Sequence, residues 1–352
     1  MRVTSVAEAN PIKIALFVAL LLLPLALLNT RAAADDLRHD ESLKAAHEAY
    51  EASDYPKAAR LLQLAVEQNP RDAEIHLLLA KTYYEFQQHD AAIASAEQAV
   101  ALDPQSSVYH EWLGKVYGEK ADHAGMFSAL SLAKKARKEF ERAVQLDAKN
   151  FSAYQALIEF DCSAPAIAGG GEDKAGPEIA RLAALDAAEG HYAAGNCRRQ
   201  KKDFAAADAQ FDKALELHPK SAELIYDIGD YAMKHNQAER LAVVADEGEK
   251  VVPSDPRSEF YRGVAWVIKN ERYQDSERLL REYLKRAPLR NSFPPPWRVH
   301  EWLGRLYENQ QKTQAALEEY EAALKLEPKS KNAREALKRL KKAEGLRPRV
   351  TS

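Results

Sequence analysis

From residue 39 onward, small and aromatic residues recur at spacings that fit one face of a helix, in paired segments closed by proline. The layout has a fixed period: Pro70 and Pro104 lie 34 residues apart, as do Pro219 and Pro253. The clearest copies run from Ala73 to Pro104, Ala188 to Pro219 and Trp297 to Pro328. In the last of these, Leu303, Gly304 and Tyr307 mark a first helix, Ala316, Tyr320 and Ala323 a second, and Pro328 ends the unit. One stretch is repeated almost word for word: His110-Glu111-Trp112-Leu113-Gly114-Lys115-Val116-Tyr117 parallels His300-Glu301-Trp302-Leu303-Gly304-Arg305-Leu306-Tyr307. A period of this length predicts stacked supersecondary units rather than one globular core. The pattern divides residues 39–328 into eight helical hairpins: 39–70, 73–104, 107–148, 151–187, 188–219, 222–253, 256–288 and 297–328. A final helix is predicted from about Lys331 to Ala343.

The recurring residues have physical reasons to recur. Gly114, Gly195, Gly229 and Gly304 fall at one place in the first helix, where a missing side chain admits the paired helix despite a helix cost of about 1 kcal/mol. Ala58, Ala92, Ala207 and Ala316 play the matching part in the second helix. Tyr83, Tyr117, Phe140, Phe211, Tyr307 and Tyr320 are bulky enough to fill the space between hairpins, and proline stops each second helix. This pattern resembles the tetratricopeptide repeat family over nearly the whole body of the chain. The resemblance implies an all-α fold: a right-handed α-solenoid of about eight hairpins closed by a C-terminal capping helix.

Composition agrees with helix throughout. Ala, Leu, Glu, Lys and Arg dominate and β-branched residues are sparse, which disfavours a parallel-sheet enzyme. A formal charge of −3 gives no global basic field, so nucleic acid is not expected as partner. Residues 1–34 form a separate unit. Arg2 and Lys13 precede an uncharged apolar run from Ile14 to Leu28, and Ala32-Ala33-Ala34 supplies small residues for cleavage. That run is shorter than the roughly 20 apolar residues of a spanning helix, so the segment is read as a cleaved signal peptide, with an uncleaved N-terminal anchor in the inner membrane as the alternative. Either places the body outside the cytoplasm, periplasmic or secreted, and limits membrane contact to this segment. At the other end, residues 329–352 are rich in Lys and Arg; Ala336, Leu337 and Leu340 give them the inner stripe of a capping helix, preferred over a lipid-binding patch.

Sites of chemistry are scarce. His76, His110, His191 and His300 share one repeat position and are read as packing residues. No histidine pair shows one-turn spacing with an adjacent acid, so neither a metal nor a cofactor is called for. Gly169-Gly170-Gly171 lacks the lysine and hydroxyl of a phosphate-binding loop and is read as a flexible turn. No catalytic residue is assigned. Cys162 and Cys197 lie in first helices of consecutive units, but two positions apart in helical phase; a disulfide is possible in an exported chain, and two semi-buried thiols are the preferred reading. Units three and four carry extra residues, 121–130 and 164–177, read as loops.

Function is then what the resemblance implies: a concave surface, lined by first helices, that holds an extended peptide or a partner protein. Carried onto this sequence, the inward positions are Leu77, Lys81 and Tyr84 in unit two, Glu111 and Lys115 in unit three, and Tyr192, Asn196 and Arg199 in unit five. Tyr226, Asp230 and Met233 follow in unit six, and Glu301, Arg305 and Glu308 in unit eight. The pairs Leu43 and His47, Leu77 and Lys81, Glu111 and Lys115 do not reproduce the family's clamp for a terminal carboxylate. The chain is therefore expected to be an envelope-located binding scaffold, an assembly or accessory factor. An enzyme-associated or catalytic role in the insertions of units three and four is the second expectation.

Overall fold

The computed structural model describes residues 41–343 and Gly345; the N-terminal apolar segment and the basic tail after 345 lie outside the described residues. Among the described residues seventeen α-helices follow one another and there is no strand. They are α1 (41–51), α2 (Tyr55–Gln68), α3 (Ala73–Glu85), α4 (His89–Leu102), α5 (Ser107–Asp122), α6 (Met126–Leu146), α7 (Phe151–Ser163), α8 (Glu172–Leu185) and α9 (Ala187–Gln200). Then come α10 (Phe204–Glu216), α11 (Ala222–Lys234), α12 (Ala238–Val251), α13 (Pro256–Lys269), α14 (Tyr273–Arg286), α15 (Pro296–Asn309), α16 (Thr313–Leu326) and α17 (Lys331–Ala343). Odd-numbered helices up to α15 are the first members of hairpins and even-numbered ones the second; each packs on its neighbours in sequence, as in an α-solenoid. Among the described residues no helix is long and apolar enough to cross a membrane.

Local chemistry sets the helix ends. Asp72, Ser106, Asn150, Asp186, Ser221 and Asp255 precede first helices and accept hydrogen bonds from backbone N–H groups of the first turn. Between the two helices of a hairpin the chain passes through one left-handed residue: Ser53, Gln87, Lys202, Asn236 or Gln311, at φ of 55–62°. Within hairpins, the glycine position is a close approach. A Cβ on Gly195 would sit 2.5 Å from the Phe211 ring, and one on Gly114 or Gly304 would meet Phe140 or Tyr320 at 2.6 and 2.7 Å. These rings are buried, and Ala58, Ala92, Ala207 and Ala316 are almost completely so.

Unit three departs from the pattern differently from the loop expected at 121–130. Its extra residues are helical: α5 runs to Asp122, α6 starts at Met126, and only residues 123–125 connect them. Lengthening both helices keeps backbone groups paired, which a ten-residue loop would leave to solvent. The glycine turn of unit four is tied to its neighbours by hydrogen bonds. A short 3₁₀ turn (Ala166–Ala168) leads into Gly169 and Gly171, both at positive φ. The Gly171 N–H donates to the Asp161 carbonyl at 2.8 Å, and Arg137 of α6 donates to the buried Asp161 carboxylate at 2.8 and 3.1 Å.

The segment between α14 and α15 lies back beside units one and two. Tyr55 donates its hydroxyl to the Leu289 carbonyl at 2.9 Å, Arg290 lies 2.5 Å from the Glu51 carboxylate and over the Tyr50 ring, and the Asn291 N–H donates to Glu85 at 3.2 Å. The segment is held from its other side by the buried Arg257, which donates to the Ser292 carbonyl and stacks on Phe293. Residues 289–293 thus act as a strap that closes the superhelix.

Candidate functional site in the concave channel

The first helices of successive units contact one another, and several of their pairs are 35 residues apart. Tyr84 donates to Glu119 at 3.5 Å, Tyr192 to Asp227 at 3.0 Å, and Tyr261 to the Tyr226 carbonyl at 3.1 Å, each pair 35 residues apart. Cys162 and Cys197 have this same separation and form a disulfide, with Cα atoms 5.3 Å apart. The reading of two free thiols is therefore corrected. The bond joins α7 to α9, the first helices of units four and five, within the Cα separation that a disulfide requires.

The inward positions predicted from the repeat divide into two groups. Lys81, Tyr84, Lys115, Tyr192, Arg199, Asp230, Glu301, Arg305 and Glu308 keep part of their surface in the channel. Leu77, Glu111, Asn196, Tyr226 and Met233 are buried and unavailable to a partner, a correction to the single uniform groove. The cause is clearest in the C-terminal half. Trp302 of unit eight reaches two units back and donates its indole N–H to the Met233 sulfur at 3.2 Å, while Arg305 donates to Asn236 at 2.6 Å. Tyr226 is covered by Arg257, whose guanidinium stacks 4.2 Å from the ring centroid, and it bonds Ser258 at 2.8 Å. Glu301 and Glu308 are engaged by the cap region, through Ser330 and Arg339. In units two, three and five the predicted positions that keep exposed surface are Lys81, Tyr84, Lys115, Tyr192 and Arg199.

At its N-terminal end the channel wall is built on Trp112, which the sequence presented only as a repeat residue. The ammonium groups of Lys81 and Lys115 each lie 5.0 Å from the Trp112 ring centroid, and the Tyr84 ring meets it edge-on at 5.8 Å. Lys115 donates to Glu111 at 2.6 Å and to Ser152 at 3.0 Å. Among the described residues Lys81 makes no ion pair; desolvation pushes its pKa down, Glu111 partly offsetting and Lys115 adding to the effect. Burial, with Glu119 nearby, pushes the Tyr84 hydroxyl up to about 12, so it stays a neutral donor. Further along, Arg199 donates to Asp227 at 3.1 Å and Gln200 to Glu159 at 3.3 Å, while Arg298 approaches Asp230 at 3.8 Å. The lining is thus cationic at unit two and mixed beyond it.

The repeat histidines are structural. His76 and His110 hydrogen-bond the carbonyls of Pro70 and Pro104 at 3.1 and 3.2 Å, His191 meets Gln210 at 2.8 Å, and His300 meets Glu319 at 2.6 Å. A different set does bring histidines and an acid together in space, without one-turn spacing between the histidines: ligand atoms of His89, Glu119 and His123 all lie within 4.8 Å of one another. The sequence hid it because His89 comes from the neighbouring unit.

Fold and channel define a class, the helical-hairpin solenoids whose inner surface is built from first helices. The tetratricopeptide repeat model matches residues 49–116, 188–221 and 267–333, and this chain is a tetratricopeptide repeat protein. No curated protein matches it. Solved structures similar to it include a thermophilic tetratricopeptide repeat protein of Thermus thermophilus, 22% identical over 53% of this chain and 94% of that one, with a TM-score of 0.43. A tetratricopeptide repeat protein of Parabacteroides merdae is 9% identical over 86% of this chain and 98% of that one, with a TM-score of 0.41. The first repeat domain of Spaghetti (RPAP3), solved with an HSP90 peptide, is 18% identical over 35% of this chain and 89% of that one, with a TM-score of 0.30.

Proposed function

We propose that this tetratricopeptide repeat protein is an exported, non-catalytic scaffold whose channel in units two to five binds a segment of a partner protein carrying a carboxylate. The observation that carries the reading is Lys81: a desolvated ammonium on the channel wall, held against Trp112 with no carboxylate of its own among the described residues. An acidic side chain of a partner, laid between Lys81 and Lys115, supplies the missing counter-charge, and Trp112 and Tyr84 offer the rigid aromatic surface that anchors interfaces. The mixed charges at Arg199, Asp227 and Asp230 suit an amphipathic segment rather than a uniformly acidic tail. Export is supported by the apolar run Ile14–Leu28 with its small-residue exit, and independently by the Cys162–Cys197 disulfide, a bond that persists in oxidising compartments such as the periplasm.

The reading is tested with the mature chain and a Lys81→Glu, Lys115→Glu variant, offered the same envelope extract and compared by quantitative mass spectrometry. A partner enriched by the wild type and lost by the variant supports it; a partner set unaffected by charge reversal removes it. Fractionation of cells producing the full chain tests export: recovery with the osmotic-shock fraction is expected, and retention in the cytoplasm contradicts it.

A further inference from the structure

We infer that the seam between units two and three is a binding site for one divalent transition-metal ion, of the zinc or nickel type, with His89, Glu119 and His123 as ligands. The three donors come from two elements: His89 is the first residue of α4, Glu119 lies in the last turn of α5, and His123 caps that helix. The two imidazole rings stack at 4.9 Å with planes 24° apart, and the Glu119 carboxylate lies 3.7 Å from His123 Nδ1. His123 Nδ1 also sits 2.9 Å from the Glu119 carbonyl; a donated N–H there fixes the tautomer and leaves Nε2 as a free lone pair, the arrangement that metal-bound histidines show. His89 and His123 border an open depression of about 450 Å³, lined also by Gln87, Asp90 and Lys120, so an ion and its waters reach both imidazoles. The nearby Lys120 ammonium is neutralised by Asp90.

The seam between units five and six shows what this place holds elsewhere. There Phe204, the residue that starts α10, packs on His235, the cap of α11, at 4.8 Å, and His235 in turn packs on Tyr231 at 4.4 Å. That is an aromatic plug with one imidazole, and its Tyr231 hydroxyl donates to the Asp208 carboxylate at 2.9 Å. In unit three, α5 runs about one turn further, and the added turn carries His123 over His89 with Glu119 beneath it. Two imidazoles and one carboxylate form a donor set suited to Zn²⁺ or Ni²⁺ and poor for Ca²⁺, which takes six or more oxygens. Three protein ligands leave a coordination position for water or for a donor from a partner.

The test is calorimetric titration of the untagged, metal-stripped chain with Zn²⁺, Ni²⁺ and Ca²⁺. One equivalent of Zn²⁺ or Ni²⁺ and no Ca²⁺ is expected to bind, with affinity lowered about tenfold or more in His89→Ala and His123→Ala and unchanged in His235→Ala. Absence of saturable Zn²⁺ and Ni²⁺ binding, or binding indifferent to both alanine variants, overturns the site. Electron paramagnetic resonance of the Cu²⁺-loaded chain gives a readout independent of stability: nitrogen couplings from two imidazoles are expected, and couplings from none contradict the assignment.

Discussion

The Tyr192 hydroxyl donates to Asp227 Oδ2 at 3.0 Å, joining the first helices of units five and six across a separation of 35 residues. The same offset joins Tyr84 to Glu119 and Cys162 to Cys197. Contacts between successive first helices scatter around the sequence period, at separations such as 32 and 37 residues as well as 35. Because Arg199 still donates to Asp227 at 3.1 Å, Tyr192→Phe is expected to cost about 1 kcal/mol, read as a lower midpoint in urea unfolding; a midpoint equal to the wild type would show that the bond contributes nothing.

The disulfide closes a sequence separation of 35 residues between two stacked units. Replacing both cysteines by serine is expected to lower stability by about 2–4 kcal/mol, and reducing agent should lower the melting temperature of the wild type but not of the variant. Alkylation of both thiols in the unreduced, denatured chain would exclude the bridge.

Glycines in α5 separate packing from propensity. Gly114→Ala places a Cβ 2.6 Å from the Phe140 ring and is expected to destabilise, because a buried aromatic ring must move. Gly118, four residues on, has nothing within 4 Å of the same atom, and Gly118→Ala should stabilise by about 0.5–1 kcal/mol. Opposite shifts in melting temperature are the expected result.

Glu189, in the first turn of α9, is buried, and its carboxylate accepts from Gln155 at 2.8 Å. Desolvation raises its pKa, and Gln155 only partly offsets this. A carboxyl raised on folding contributes stability in full below its unfolded value of about 4.3, and loses that contribution as pH rises through the folded value. Glu189→Gln is thus expected to be more stable than the wild type at pH 7, with the gap closing toward pH 4. Denaturant midpoints of both chains across that range check the sign.

The hairpins were legible in the sequence because the residues that make them are local. Proline stops, capping side chains and the Gly195–Phe211 type of contact all fall within one 34-residue unit. What was hidden depends on sums over units. The strap contact of Tyr55 with Leu289 spans 234 residues, and the burial of Met233 under Trp302 comes from two units away. Trp112 carried no distinguishing signal beyond its repetition at Trp302, since its importance comes from the two lysines placed over its ring. A run of ten additional residues looked like a loop because insertions in repeats usually are; here helix propensity extended both helices instead.

The strap offers a test of closure. Arg290→Ala removes the contacts with Glu51 and Tyr50 and is expected to speed amide exchange in α1 and in residues 289–293, leaving α11 and α12 unchanged. Uniform exchange in both chains would show that the strap does not hold unit one.

The central claim is that partners are recognised in the channel of units two to five, and site-specific photo-crosslinking tests it most directly. A photoreactive residue is placed at Trp112 in one chain and at the exposed Lys213 on α10 in another, and each is irradiated in the native envelope. The account predicts a discrete crosslinked partner from position 112, absent from position 213 and lost when Lys81→Glu is added. Crosslinks of equal yield from both positions, or a crosslink at 112 indifferent to Lys81→Glu, would contradict it.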